Sequence, residues 1–598
     1  MLKKIVTIFT LLTAIIVLSA CKPSSDNQST SADTTNTDIP TDTLTSIIED
    51  SAPLYTIIRA EDASDIVISN MQKLKEQLDK EAGVYFTLGT DWYRDGDTTI
   101  SDKYEILVGK TDRPEYDDAL SKLKYNDYSI TKIGNKIVIA AYTDDNLTKA
   151  VNYFIKNVPD YISTDDNGKV DLIVPTSWFY TFSTEYDFLD INIGNISIKD
   201  YKIIVSKNAK VSELNVAAEI QELIAKKCGF VVPLFDDTEN SVANEILIGN
   251  TNRNQSTEYY NSNPNVLNYI IKADSSKLVL AFGGYTSSVN SITEFEKLLD
   301  ENSIDKEVVL AENLNINITL DLDYLPSAEL ATGADVRIMS TNVLFDQVDI
   351  SLRAEIFADY YKIYKPDSIG LQEMILDWQD ALFPLVSDMY AVCCPMPSDG
   401  VFDYTPILYL KDKYTLIESG VTRFRSGRSP WLVTWAVLED KQTGQRYIHC
   451  NTHYSVVSAN YIESHPTATD AVEGVAWRLE DCAVVKSKVL ELQAKYNGIP
   501  AVITGDFNST QYSAEYALMI KNTDIRMAML VASISSMKEY RSYHTLGVDD
   551  RKSNDGKSID HVLVTTNTVN VYVHKIIYDD IIIQASDHCP VYADISFK

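Results

Sequence analysis

Positive charge and histidine are both scarce in this sequence. Its 598 residues carry 53 Lys and Arg against 85 Asp and Glu, for a formal net charge of -32. Without a global positive field there is nothing to recruit polyanions, which excludes loose, non-specific nucleic-acid binding. A phosphate-bearing substrate is still allowed, because a bound divalent cation supplies positive charge locally. There are seven cysteines and no CxxC pair. So little cysteine in so long a chain argues against a disulfide scaffold and against a zinc site. Apart from Cys21, the cysteines (Cys228, Cys393, Cys394, Cys450, Cys482 and Cys589) read as small buried hydrophobes. After the first twenty residues no stretch is apolar enough to span a membrane. All seven histidines lie between His449 and His588.

What is present begins with a processing signal. Lys3 and Lys4 precede an apolar stretch from Ile5 to Leu18, which leads into Leu18-Ser19-Ala20-Cys21. The run is too short for a comfortable span and has the flanks of a signal peptide, residues 1–20. The small residues before Cys21 resemble a bacterial lipobox. That resemblance implies cleavage before Cys21, lipidation of its sulfur, and an exported protein tethered to the bacterial cell membrane and facing outward. Residues 21–48, rich in Ser, Thr, Asp, Asn and Pro, read as a disordered stalk. The chain as a whole is 45% hydrophobic and 10% aromatic, ample for packed cores, and its length predicts two to four domains.

The first half repeats itself. YEILVGKTDR (104–113) recurs as NEILIGNTNR (244–253), NKIVIAAY (135–142) as SKLVLAFG (276–283), and YTIIRAED (55–62) as YKIIVSKN (201–208). Each copy reads strand, amphipathic helix, strand, short helix, strand, strand, helix. Two tandem α+β domains are predicted, at 50–185 and 195–325, with KVDLIVPTSW near 169–178 completing the first sheet. The TDR and TNR segments read as polar turns. Neither copy contains histidine or a catalytic constellation. The repeats distantly resemble the α+β accessory domains that precede catalytic barrels in some glycoside hydrolases, which implies a spacer or a glycan-contacting module.

The last region, 335–598, has a different pattern. VRIMSTN (336–342) ends at Asn342, DSIGLQE (367–373) at Glu373, and YIHCNTH (447–453) at His453. PAVITGDFN (500–508) ends at Asp506 and Asn508. SIDHVLV (558–564) carries Asp560 near its start, and ASDHCPVYADISF (585–597) opens with Asp587 and His588. Polar groups inside core strands are costly unless paired, whereas at strand ends they can converge on one rim. Glu373, Asn342 and Asp587 offer hard oxygen donors suited to Mg²⁺, Mn²⁺ or Ca²⁺. His453 and His588 can hold a phosphoryl oxygen or move a proton.

In order and spacing, the segments TN (341–342), LQE (371–373), NTH (451–453), GDFN (505–508), IDH (559–561) and SDH (586–588) resemble the endonuclease/exonuclease/phosphatase superfamily. This is the fold of DNase I-like nucleases, exonuclease III-like repair enzymes, inositol polyphosphate phosphatases and bacterial sphingomyelinases. The resemblance implies a four-layer α/β sandwich with two mixed sheets face to face. It implies that Glu373, Asn342 and Asp587 hold the metal and that Asp506 orients or deprotonates the attacking water. Asn508 and His453 would hold the phosphate. His588, oriented by Asp560, would stabilise the phosphorane or protonate the leaving oxygen. Arg478, on the helix after NTH, and His544 in SYHTLG are carried over as substrate contacts. The sequence departs from the pattern at Leu344, where some members have a second acid, and no carboxylate partner for His453 is evident. His449, His465 and His574 read as ordinary residues. Arg423, Arg425 and Arg428 read as a basic loop, and Tyr404, Trp431 and Trp435 as core or rim aromatics.

The expectation is an α/β (α+β) protein in which two repeat domains precede the sandwich. Its activity is that of an exported, lipid-anchored, Mg²⁺-dependent (or Mn²⁺- or Ca²⁺-dependent) phosphoester hydrolase. Nucleic acid, phospholipid headgroups and sugar or inositol phosphates all remain open as substrates. The second reading is a cell-surface lipoprotein that binds glycan or a partner through its repeats, with a vestigial last domain.

Overall fold

In the computed structural model, the described residues are 43–93, 99–274, 276–321, 329–345, 348–394, 405–424, 432–536, 541–548 and 558–598. The signal peptide, Cys21 and residues 21–42 of the expected stalk lie outside them, as do Tyr404, Trp431, Arg425 and Arg428. Within the described residues no helix is long and apolar enough to cross a membrane.

Among the described residues there are six sheets, two in each successive region. Folded structure begins earlier than the stalk reading allowed. Leu44–Glu49 is a strand antiparallel to Val170–Pro175, and Ile47 and Ile48 are buried. Two adjacent β-branched isoleucines supply a burial pattern that the surrounding Ser/Thr composition hides.

Each repeat has a six-stranded sheet, and the strand orders correspond. The first runs Tyr180–Phe182, Tyr128–Ile133, Lys136–Ala141, Glu105–Val108, Thr56–Arg59, Leu88–Thr90. The second runs Asn315–Thr319, Asn268–Asp274, Lys277–Phe282, Glu245–Ile248, Lys202–Val205, Leu234–Asp236. The four strands furthest from the first named pair in parallel, and the rest antiparallel, in both. Helices α1 (Asp65–Ala82) and α2 (Asp144–Asn157) serve the first repeat, and α3 (Val211–Cys228) and α4 (Tyr285–Glu301) the second. The TDR and TNR arginines are not surface turns. Arg113 Nε donates to Glu105 Oε2 at 2.9 Å, and Lys136 Nζ lies 3.0 Å from the same oxygen, all buried. Arg253, Lys277 and Glu245 repeat the triad. Burial pushes each glutamate up, but the paired cations outweigh it and hold both below the usual carboxylate range.

The last region is a sandwich. A seven-stranded sheet runs Tyr390–Cys393, Ile407–Leu410, Ser368–Gln372, Val336–Asn342, Val591–Phe597, Val569–Ile576, Ile534–Ser536. It faces a six-stranded sheet of order Tyr414–Arg423, Leu432–Asp440, Arg446–His453, Ala501–Asp506, Asp560–Thr565, Ile525–Met527. Helix α5 (Ile350–Tyr364) packs outside the first sheet, and Val475–Lys495 outside the second. A polar seam crosses between the sheets. Gln372 Nε2 donates to Asn451 Oδ1 at 2.7 Å, Thr504 Oγ1 donates to the same oxygen at 2.9 Å, and His449 bridges Ser368 and Thr504. A Cβ on Gly370 would lie 2.0 Å from Thr504 Oγ1, so glycine leaves room for the seam. Burial drives His449 down to about 3, so it is a neutral, satisfied core histidine. The six described cysteines are free thiols, and all but Cys394 are buried.

Candidate active site

Strand register assembles the site. His453 and Asp506 end neighbouring parallel strands and are paired in register, and Asp506 is registered against Asp560 at the start of the next. On the facing sheet Asn342 ends a strand, Glu373 follows the adjacent one, and Asp587 and His588 precede Val591–Phe597, which runs beside Val336–Asn342. The strand ends of both sheets therefore meet at one rim. All residues expected at the centre from sequence come together there except Arg478.

The contacts are specific. Asn342 Nδ2 donates to Glu373 Oε1 at 3.0 Å and to Asp506 Oδ2 at 3.1 Å. Asp506 Oδ1 accepts the Asn508 backbone N–H at 2.8 Å. Asn508 Nδ2 lies 3.1 Å from His453 Nε2 and donates to the Tyr454 carbonyl at 3.0 Å. His453 Nε2 stands 3.4 Å from Asp506 Oδ2, so a carboxylate near this imidazole exists after all. Asp506 itself fills that place. His588 Nδ1 is 2.9 Å from Asp560 Oδ2, and its Nε2 is 3.7 Å from Asp506 Oδ2. Asp560 orients the ring, leaving Nε2 turned toward Asp506.

The electrostatics assign roles. Burial alone would strip the proton from His588. The Asp560, Asp506 and Asp587 carboxylates outweigh burial and push the imidazole up to about 10, so it is an imidazolium at neutral pH. Burial, and secondarily the Glu373 carboxylate, raise Asp587, while His588 pulls it down. His561 is different. Burial lowers it to about 4, and its Nε2 meets the Ser509 carbonyl at 3.0 Å, where it steadies the loop after Asn508.

His544 lies beside the centre, its backbone N–H donating to the Asp587 carbonyl at 2.8 Å. Arg478 is engaged elsewhere. Its buried guanidinium meets Glu515 at 2.9 Å and Asp470 at 3.3 Å, which neutralise it within its own helical layer. A helix position after NTH could not reveal those two carboxylates.

Three supporting groups have no role assigned to them from sequence. Ser542 Oγ donates to Asp560 Oδ2 at 2.6 Å, Ser586 Oγ donates to the Asn342 carbonyl at 2.8 Å, and the Phe345 N–H donates to Glu373 Oε2 at 2.8 Å. Leu344, Glu373 and Asn508 all have positive φ, at 58°, 63° and 45°. Non-glycine residues in this region carry backbone strain, which concentrates at functional sites. The left-handed turn at Leu344 lets the next N–H reach Glu373.

The donor set fits a hard divalent cation. Glu373, Asn342 and Asp587 are oxygen donors, Glu373 and Asp587 repel each other, and Asp587 Oδ1 is buried with no hydrogen-bond partner among the described groups. Ligand atoms of Asp506, Asp560 and His588 also lie within 4.8 Å of one another. In that trio the imidazolium already supplies the compensating positive charge.

Residues 339–588 match the model of the endonuclease/exonuclease/phosphatase family. No curated protein matches the sequence. Among solved structures, an endonuclease/exonuclease/phosphatase from Bacteroides vulgatus is 23% identical with a TM-score of 0.36, covering 44% of this chain and 99% of its own. A mannosyl-6-phosphatase from Bacteroides thetaiotaomicron is 19% identical, with a TM-score of 0.36 and coverage of 44% and 100%. The human nocturnin catalytic domain is 18% identical, with a TM-score of 0.33 and coverage of 44% and 94%. The matched segment contains every rim residue described above, and it is the endonuclease/exonuclease/phosphatase family that residues 339–588 of this chain resemble.

Proposed function

We propose that the protein is a divalent-metal-dependent phosphoester hydrolase that attacks phosphorus with a water oriented by Asp506. The observation that carries this reading is the buried Asp506, set between Asn342, His453 and a protonated His588. Asp506 Oδ2 is the base that aims the water and takes its proton. The Asn508 amide and His453 hold non-bridging phosphoryl oxygens. The His588 imidazolium offsets charge as it develops and gives its proton to the leaving oxygen, while Asp560 keeps Nδ1 engaged. Glu373, Asn342 and Asp587 would hold the cation, which when bound polarises a phosphoryl oxygen. Mg²⁺ suits these ligands, as do Mn²⁺ and Ca²⁺. The intact constellation favours this reading over a binding lipoprotein with a vestigial domain. We extend the proposal to export and to lipid attachment at Cys21, on the strength of the N-terminal sequence.

The test is a panel of plasmid DNA, RNA, sphingomyelin, inositol and sugar phosphates, nucleotides and bis-p-nitrophenyl phosphate. Wild type and Asp506→Ala are compared with Mg²⁺, Mn²⁺ and Ca²⁺. Turnover of one substrate that is abolished both by EDTA and by the substitution is the expected result. Equal behaviour of the two proteins across the panel overturns the reading.

A further inference from the structure

Helix α5 is held from two sides. Arg353 projects from one side, buried, and binds backbone carbonyls. Its Nε donates to Ala585 at 2.6 Å and its Nη2 to Leu344 at 2.9 Å and to Val343, while Nη1 donates to Val348 at 3.2 Å. Trp378 lies against the guanidinium, 4.9 Å from ring centre to Cζ, and its own Nε1 donates to Leu344 at 3.0 Å. The carbonyls of Val343 and Leu344 belong to the turn that follows Asn342 and presents the Phe345 N–H to Glu373. Ala585 begins the segment that carries Asp587 and His588. One side chain thus ties together the two loops that bear two of the three proposed cation ligands, Asn342 and Asp587.

Two and six residues further on, at 100° per residue, Glu355 and Asp359 emerge on another side of α5. They reach the second repeat. Glu355 Oε1 accepts from Val211 N at 2.9 Å and from Ser212 N at 3.4 Å, at the start of α3. Asp359 Oδ2 accepts from Thr286 N at 3.4 Å, in the first turn of α4. Helix N-termini leave orphan N–H groups that side-chain oxygens normally satisfy.

Comparison of the repeats explains why the oxygens come from outside. In the first repeat Ser64 and Thr143 cap α1 and α2 with their own hydroxyls. The corresponding residues of the second repeat are Lys210 and Gly284, and neither side chain caps its helix. A Cβ on Gly284 would lie 2.3 Å from Asp359 Oδ2. The second repeat keeps the N3 half of each cap, with Glu213 and Ser287 accepting from the Lys210 and Gly284 N–H groups, but lacks the N-cap hydroxyls and leaves the space that the carboxylates of α5 occupy.

We propose that the second repeat is a positioning domain for the hydrolytic centre. It fixes α5 through Glu355 and Asp359, and α5 in turn fixes the Asn342–Phe345 turn and the Ala585–His588 loop through Arg353. Arg353, Glu355 and Asp359 are positioning residues. The cation readout below rests on the hydrolase reading, whereas the exchange readout does not.

The decisive variant is Gly284→Thr in the full chain, which gives the second repeat the residue of the first. Asp359→Leu removes the carboxylate, and Asp359→Asn keeps an oxygen in its place. Amide exchange is followed in peptides spanning 336–345 and 580–590, and Mn²⁺ affinity is measured by titration. With Gly284→Thr and Asp359→Leu, exchange in both loops should accelerate roughly tenfold, and Mn²⁺ affinity should fall about tenfold. Asp359→Asn should stay near wild type in both. If exchange accelerates at residues 284–288 while the two loops remain as protected as in wild type, the inference is overturned. If Gly284→Thr does not fold, the Asp359→Leu and Asp359→Asn pair decides. If wild type itself takes up no Mn²⁺, the cation assignment falls and loop exchange alone decides the positioning role.

Discussion

In each repeat a glutamate is enclosed by permanent cations, Glu105 by Arg113 and Lys136, and Glu245 by Arg253 and Lys277. At the rim of the sandwich Asp506, Asp560 and Asp587 surround His588, and among the described residues their ion-pair partners are imidazoles. The difference separates structural charge from charge kept for chemistry. A buried carboxylate matched by arginine and lysine is quenched, and its neighbours depend on it. A cluster of acids matched only by titratable rings holds a proton in an unusual place, which a reaction can use.

Substitutions in the two clusters should break in opposite ways. Asp506→Asn should lower turnover roughly 10,000-fold, with little change in the urea midpoint; a large loss of stability would move Asp506 into the structural class. Glu245→Gln should do the reverse, since Arg253 and Lys277 would be left buried without their anion, at a cost of about 3–5 kcal/mol. Urea melts read this directly, and an unchanged midpoint would contradict the enclosed triad. Asp560→Asn should lower turnover about 100-fold and reshape the pH profile. The His588 charge persists until pH rises through about 10, so activity that needs the imidazolium declines there. Without Asp560 that alkaline limb should move to lower pH, and an unmoved limb would show that Asp560 does not set the proton affinity.

The smallest effect concerns Asp359, which belongs to neither class. Burial raises it from an ordinary 3.8 to about 7, against the pull of Lys210 and Lys362, with Glu355 one turn away on the same helix. The folded state thus binds its proton more tightly than the unfolded chain does. Its contribution to stability is complete below about pH 4 and is lost as pH rises toward 7. Asp359→Asn should flatten this part of the stability–pH curve, and melts at pH 4.5 and 7.5 compare the slopes.

The rim was legible because strand ends announce it. An apolar run broken by Asp506, Glu373 or His588 stands out in a chain whose first 448 residues hold no histidine. Arg353, Ser542 and Ser586 were illegible because their partners are backbone carbonyls or residues distant in sequence. Arg113 and Arg253 were misread for a related reason: TDR and TNR have turn composition, and only the parallel strand pairing places Lys136 and Lys277 beside the same glutamates. The Gln372–Asn451 seam shows the converse. Two residues inside apparent catalytic motifs join the sheets to each other.

The sequence by itself determined the two repeats and the residue types at the strand ends of the last region, because periodicity and strand-end polarity are local properties; the sandwich followed from the family resemblance that those motifs carry. Only the tertiary structure decided which charges are quenched, where Arg478 turns, and that helices of the second repeat are capped by carboxylates of the sandwich. Those outcomes depend on which side chain enters which low-dielectric space, and that is settled by packing between segments far apart in the chain.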